Sequence, residues 1–259
     1  RDPEMSRGLG DVYKRQLYSP AKLGLAAALA CCAFTFLLGG GPIEMVLAFI
    51  AAGIGNVIRT KLIKHHYTLF LNIAVSISAA CLTYTVCLHL AEMLFHIPSF
   101  HEAGYICSML FIIPGFPFIT SGIDLAKLDL RSGLERLTYS VIIVLVATMF
   151  AWIMALLLKL QPQDFVALHL GSMMHLVLRL IASFCGVFGF SIMFNSSVYI
   201  AATAACIGAV ANTLRLELVD YTGMPSAAAA FIGALTAGLL ASIIKRNHGY
   251  PRISLTVPS

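Results

Sequence analysis

The chain has 259 residues, of which 59% are hydrophobic and only 11% charged, with a net charge of +5. Soluble domains carry roughly a quarter charged residues, so a water-soluble globule is excluded; it would have nowhere to put this apolar surface. The positive charge does not mark a nucleic-acid binder, because Lys and Arg lie between apolar runs and form no aromatic-interleaved basic patch. What remains is an all-α, polytopic membrane protein, whose natural unit of counting is a span of about 20 apolar residues.

Residues 1–16, RDPEMSRGLGDVYKRQ, lack the apolar core and small-residue cleavage site of a signal peptide. They read as a non-native leader, the alternative being the tail of a native cytosolic segment. From Leu23 to Ile43 there is no charge; Glu44 follows, then a second uncharged run from Met45 to Ile58. The Gly39-Gly40-Gly41-Pro42 cluster between them is a turn signal and predicts a helical hairpin. The basic segment Arg59–His66 leads into a third span, Tyr67–Ala91. A loop with Glu92, Pro98 and Glu102 precedes the apolar run 103–123, which holds LFIIPGFPFITSGID (Leu110–Asp124) and cannot be one regular helix. Pro114 and Pro117 lack N–H groups, so the carbonyls of Leu110 and Ile113 lose their helical partners. In hydrocarbon such groups must find protein, water or a ligand, and broken helices of this kind recur at transporter binding sites. A plain proline kink is the alternative.

Asp124–Arg136 carries both signs of charge, and Leu137–Leu158 is a fifth span with the single tryptophan, Trp152. Beyond Lys159 a less apolar connector, QPQDFVALHLGSMMH, marks a boundary between residues 17–160 and 161–259. Leu180–Leu214 is uncharged over 35 residues, too long for one crossing, and Asn195-Ser196-Ser197 divides it into two spans. Arg215–Asp220 reads as a short charged loop before an eighth span, Tyr221–Ile244. In that span Ala230, Ala234, Gly238 and Ser242, and also Ala229, Gly233, Ala237 and Ala241, recur every four residues, so packing on several sides is expected. The seven cysteines all fall inside apolar runs and form no C-x-x-C pair, which is the pattern of buried free thiols. The histidines lie mostly near span ends, so neither a metal nor a cofactor is expected.

A shift of 153 positions pairs Ala48–Thr60 with Ala201–Thr213, with identities at Ala48/Ala201, Ala51/Ala204, Ala52/Ala205, Ile54/Ile207, Gly55/Gly208, Val57/Val210 and Thr60/Thr213. By the same order of features, Ile113-Pro114-Gly115 corresponds to Val257-Pro258-Ser259, as if the chain stopped where a second broken helix begins. Five spans per half would insert the second copy upside down, and the charges follow: nearly every basic cluster falls on one side, the cytoplasmic one by the positive-inside bias. The expected fold is therefore two five-span inverted repeats, the second truncated, an architecture of transporters.

With these residues in view, the segment IIPGFPFITSGIDLAKLDLRSGLERL resembles the bacterial threonine/serine exporter family. The family's Pro-Gly-x-Pro, Asp, Ser-Gly and Arg fall on Pro114, Gly115, Pro117, Asp124, Ser132, Gly133 and Arg136. The resemblance covers Leu23–Leu158, and Arg179–Ser259 resembles the family's second, shorter membrane module. It implies export of small hydroxylated amino acids across the inner membrane, driven by the proton motive force, by a ten-span protein with a cytosolic segment before its first span. Against it, the chain lacks that segment and the last one or two spans, so its partners could be those spans or a second copy.

A zwitterion needs donors for its carboxylate, acceptors for its ammonium and a partner for its hydroxyl. The break offers backbone N–H groups and the carbonyls of Leu110 and Ile113, while Thr120 and Ser121 stand within a turn of it. The alternative for both hydroxyls is a bond back to their own helix. Asn56 and Asn72 are intramembrane amides that either line the path or join helices. Asp124 is the candidate proton carrier; its alternative is an ordinary pair with Lys127 or Arg136. His89 and Glu92, three residues apart, are a candidate relay or simply interfacial. An intramembrane hydrolase would need a nucleophile with a base, or paired ligands, at membrane depth, and no such motif occurs. A passive channel or a structural subunit of a transport complex is the remaining alternative.

Overall fold

The computed structural model describes residues 18–95, 102–160 and 171–248. Residues 1–16, expected as a leader, the connector over 161–170, Arg252 and Val257-Pro258-Ser259 lie outside the described residues. The described chain is helical: α1 (Pro20–Leu37), α2 (Pro42–Lys64), α3 (Leu69–Phe95), two short 3-10 turns (Glu102–Tyr105 and Cys107–Ile112), α4 (Gly115–Ala126), α5 (Leu130–Leu157), α6 (Ser172–Met193), α7 (Val198–Thr222) and α8 (Ser226–His248). Among the described residues seven of these helices are long and apolar enough to cross a membrane, so the protein is a multi-pass membrane protein.

Local chemistry sets the boundaries. Pro20 and Pro42 open α1 and α2, where a missing N–H costs nothing. The expected hairpin between them turns on Gly39, whose φ of 102° suits a residue without Cβ. Asn195, at φ 64°, divides the long uncharged run where the sequence places the turn. The hydroxyl of Tyr18 secures that turn by donating to the Ser196 carbonyl at 2.7 Å.

Helix α1 is the central post. It packs against both α2 and α6, and Ala27, Ala28, Ala30, Cys31 and Ala33 along it are buried. One core joins α1, α2, α3, the 3-10 turns and α5 around Ile73, Ile77, Cys81, Phe111 and Ile112. A second joins α6, α7 and α8 around Val187, Ala204, Ile207 and Ala237.

Two expectations change. The residues Arg215–Asp220 form no loop; they are the last turns of α7, which ends at Gly223 in the left-handed region (φ 62°). Their charges are tolerated because Arg179 of α6 donates to Glu217 at 2.9 Å and pairs with Asp220. The stretch 103–123 is broken, as expected, and not merely kinked: 3-10 turns are followed by a separate short helix. Finally, α8 buries one small-residue face, Ala229, Gly233, Ala237 and Ala241, while Ala234 on the other face is exposed. Packing against α7 accounts for the buried face.

The Arg179 cluster yields a stability prediction. Removing one partner of a buried pair strands the other charge, at a cost of about 3 kcal/mol. Arg179→Ala and Glu217→Ala should therefore lower the unfolding midpoint of the purified protein distinctly. Asp220→Ala should do so less, because its side chain is 49% exposed. Equal midpoints for all three and the wild type would refute this account of the α6–α7 contact.

Candidate functional site

The break in the fourth segment opens into a cavity of about 460 Å³. Helix α2 contributes Asn56, Arg59 and Thr60, the break contributes Phe111–Pro114, α4 contributes Phe116 and Pro117, and α5 contributes Tyr139 and Ile143. Phe190 and Met193 of α6 and Phe194 just beyond it close the apolar side.

The chain at the break is an inverse γ-turn. Pro114 has φ −83° and ψ 62°, and the Gly115 N–H donates to the Ile113 carbonyl at 2.9 Å. The Leu110 carbonyl accepts from Ile113 N–H at 3.2 Å. Both carbonyls expected to be left open are thus satisfied locally. The Phe111 carbonyl instead reaches out of the segment and accepts from Arg59 Nη1 at 2.9 Å. The ring of the same Phe111 lies on Gly55, where an added Cβ would approach it to 2.8 Å. Gly55 and Arg59 of α2 therefore hold one residue of the break by its side chain and its backbone.

The start of α4 offers fewer N–H groups than a plain helix end. Gly115 is bonded to Ile113, Pro117 has no N–H, and Phe118 donates to the Pro114 carbonyl at 3.2 Å. Phe116 supplies the remaining N–H of that turn. Arg59 is the only charged side chain lining the cavity among the described residues.

Of the residues singled out from the sequence, Asn56, Pro114 and Pro117 line the cavity. Asn56 also joins helices, donating to the Leu23 carbonyl of α1 at 2.8 Å. Gly115 bonds at the turn, but nothing lies within 4 Å of where its Cβ would be. Thr120 and Ser121 are buried with their hydroxyls bonded back to Phe116, Pro117 and Phe118, and neither lines the cavity. Asn72 lies on α3, where Ser76 donates to its backbone carbonyl at 2.6 Å and to its side-chain oxygen at 3.2 Å; it too lies off the cavity. The His89 ring meets the Thr85 carbonyl at 2.8 Å.

Asp124 and the Ser-Gly-Arg motif form a clasp between α4 and α5. Arg136 Nη1 stands 3.1 Å from Asp124 Oδ2. The carboxylate of Asp129 caps α5 by accepting from Ser132 N–H at 3.4 Å. At Gly133 an added Cβ would approach the Leu125 side chain to 2.7 Å, so the missing side chain lets the two helices meet. Asp124 does not line the cavity.

In the sequence Arg59 reads as a topology charge, and Thr60 and Tyr139 do not stand out as site residues. The available signal was periodicity: Asn56, Arg59 and Thr60 fall at i, i+3 and i+4, one face of a helix that continues past the apolar run. Tyr139 carried no such signal, since its role depends on where α5 packs.

Arg59→Met keeps the length of the side chain but strands the Phe111 carbonyl. It should cost about 2 kcal/mol, the worth of a hydrogen bond to a charged group. Arg59→Lys should recover part of that. Thermal unfolding of the purified variants checks the order; an Arg59→Met midpoint equal to that of the wild type would show that the bond does not hold the break.

A family model described as "Putative threonine/serine exporter" matches residues 3–159. A second, "Threonine/Serine exporter, ThrE", matches residues 179–259. A protein of Escherichia coli K12, "Probable succinate transporter subunit YjjP", is 29% identical over 137 residues, 52% of this chain and 50% of the relative. The protein of the same name from Klebsiella aerogenes is 28% identical over the same shares. The chain thus spans about half the length of the curated relatives it matches. No solved structure matches it.

Proposed function

The chain belongs to the threonine/serine exporter family, a family of transporters and not of enzymes, and from this we propose that the cavity beside Arg59 is where a small carboxylate-bearing metabolite is held during export. The observation that carries the reading is a guanidinium inside a transmembrane bundle, bonded to a broken segment and facing a cavity. Charged side chains in such positions face the bundle interior or a path, and they mark substrate sites by default. The volume falls within the roughly 300–1,000 Å³ of small-molecule sites.

Threonine or serine fits the lining in outline. Its carboxylate would pair with Arg59 and the Phe116 N–H, both donors to an anion. Its hydroxyl would meet Thr60 or Tyr139, and its ammonium the carbonyls at the γ-turn, which have a second lone pair. Asn56 would steady the carboxylate from the same helix face. Arg59 also favours a second reading, because a cation with no acidic side chain beside it in the lining suits a carboxylate whether or not an ammonium accompanies it. The relatives named as succinate transporter subunits agree with that, and the word subunit makes a second chain or copy a proposed partner.

The inverted repeat remains part of the proposal. The shift of 153 maps the first residue of α1 from 20 to 173 and the last residue of α3 from 95 to 248, against observed helix ends of 172 and 248. Ala48, Ala51, Ala52 and Thr60 are buried, as are Ala201, Ala204, Ala205 and Thr213. We place the protein in the inner membrane with the Arg59 and Lys127 ends of their helices on the cytoplasmic side. Export draws on the proton gradient, and Asp124 carries a proton at that side: protonation would release Arg136 and loosen the α4–α5 clasp.

The test is efflux of labelled threonine, serine and succinate from cells expressing the protein together with any partner chain, with and without a protonophore. The proposal predicts efflux of at least one, lost when the gradient collapses, and lost in Asp124→Asn with membrane insertion intact. Efflux unaffected by the protonophore would point to a passive channel, and unchanged efflux in Asp124→Asn would remove that residue from the mechanism.

A further inference from the structure

The other end of α2 holds a second ionisable group. Glu44 is 1% exposed, in the first turn of the helix. It sits against Tyr84 of α3, which is fully buried, and against the backbone at Gly104, where an added Cβ would approach Glu44 Cβ to 3.0 Å and overrun the Tyr84 hydroxyl. Cys107, buried in the second 3-10 turn, also faces it. Among the described residues, Tyr84 and Cys107 are thus titratable neighbours from α3 and from the short segment, and α1 contributes the Thr35 hydroxyl beside Cys107.

Arg59 lies 15 residues further along the same helix, about 22 Å at 1.5 Å per residue. The segment 102–112 runs alongside, so α2 grips it twice, with the Glu44 side chain at Gly104 and Arg59 at Phe111. Helix α5 runs from Arg136, beside Asp124, past Tyr139 at the cavity to Trp152, which lines a second cavity together with Tyr105, Ile106 and Met109. Glu44 and Asp124 are therefore at opposite ends of the bundle.

We propose that Glu44 is a second proton-binding site of the transport cycle, and that its protonation state controls the seating of segment 102–112 against α2. The inference rests on the reading of proton-coupled export. Gly104 and Cys107 of the segment lie against this buried side chain, and the carboxyl exchanges a proton with solvent when the segment lifts, so binding a proton and moving the segment are one event. Lifting the segment also draws Phe111 away from Arg59 and changes the cavity. The ionised form has a structural duty besides, since a carboxylate in the first turn complements the N-terminal end of the helix dipole. The Glu44 carboxyl lies close over Gly41, where an added Cβ would come within 2.9 Å of Oε2. Protonation weakens that interaction and frees the turn to move with the segment.

Trp152, the single tryptophan of the chain, shares that cavity with the segment and so reports on its position. Its emission, followed during a pH titration of the purified full chain without substrate, should show a reversible transition. Glu44→Gln should abolish the transition and Glu44→Asp should retain it with a displaced midpoint. In proteoliposomes Glu44→Gln should still exchange substrate for substrate but lose its acceleration by an imposed pH gradient. A wild type without a transition, or a Glu44→Gln protein with an unaltered one, overturns the proposal. The fluorescence measurement needs no transport, so a failure of the export reading leaves it standing as a separate result. If Glu44→Gln does not fold, the displaced midpoint of Glu44→Asp decides: an undisplaced one overturns the assignment.

Discussion

A carbonyl freed inside a membrane span must find a donor, and the carbonyl of Phe111 finds Arg59. Two prolines within four residues deny the fourth segment a continuous helical ladder. Hydrocarbon denies it water. The γ-turn repairs part of the ladder internally, but the Phe111 carbonyl is repaired from α2, by a charged side chain long enough to reach it. That bond fixes the height of the break against α2 and leaves a guanidinium facing a cavity.

The rest of the first half is arranged to keep this contact in place. Gly55 makes room for the Phe111 ring. Ile73, Ile77 and Cys81 back the segment from α3, and Ile143 does so from α5. The α4–α5 clasp then fixes the direction in which the chain leaves the break: Asp124 pairs with Arg136, Leu125 fits over Gly133, and Asp129 caps α5. In this arrangement Pro114 and Pro117 shape the cavity wall, whereas Ser132, Gly133 and Arg136 hold the helix that forms part of it.

Helices and turns were legible where one short-range rule decides them. Pro at the first helical position, Gly39 in the hairpin and Asn195 between α6 and α7 are of that kind. The break was legible too, because two missing N–H groups are a fact of the sequence. What escaped was the destination of long side chains. Arg59 looks like the first charge after a span, and Arg215–Asp220 looks like a loop, because charge near the end of an apolar run usually marks the interface. Only the packing of α2 against the break, and of α6 against α7, shows that Arg59, Glu217 and Asp220 are helical and engaged. Thr120 and Ser121 stand within a turn of the break, yet the short reach of a hydroxyl returns both to their own helix.

Binding of threonine, serine and succinate to the purified wild-type protein and to Arg59→Gln, measured by titration calorimetry, tests the central claim most directly. The account predicts that the wild type binds at least one of them. It also predicts that Arg59→Gln, with its fold intact, binds it roughly thirtyfold more weakly, the equivalent of about 2 kcal/mol. A variant that binds as tightly as the wild type would contradict the account, since the cavity would then hold its carboxylate without the residue that holds the break.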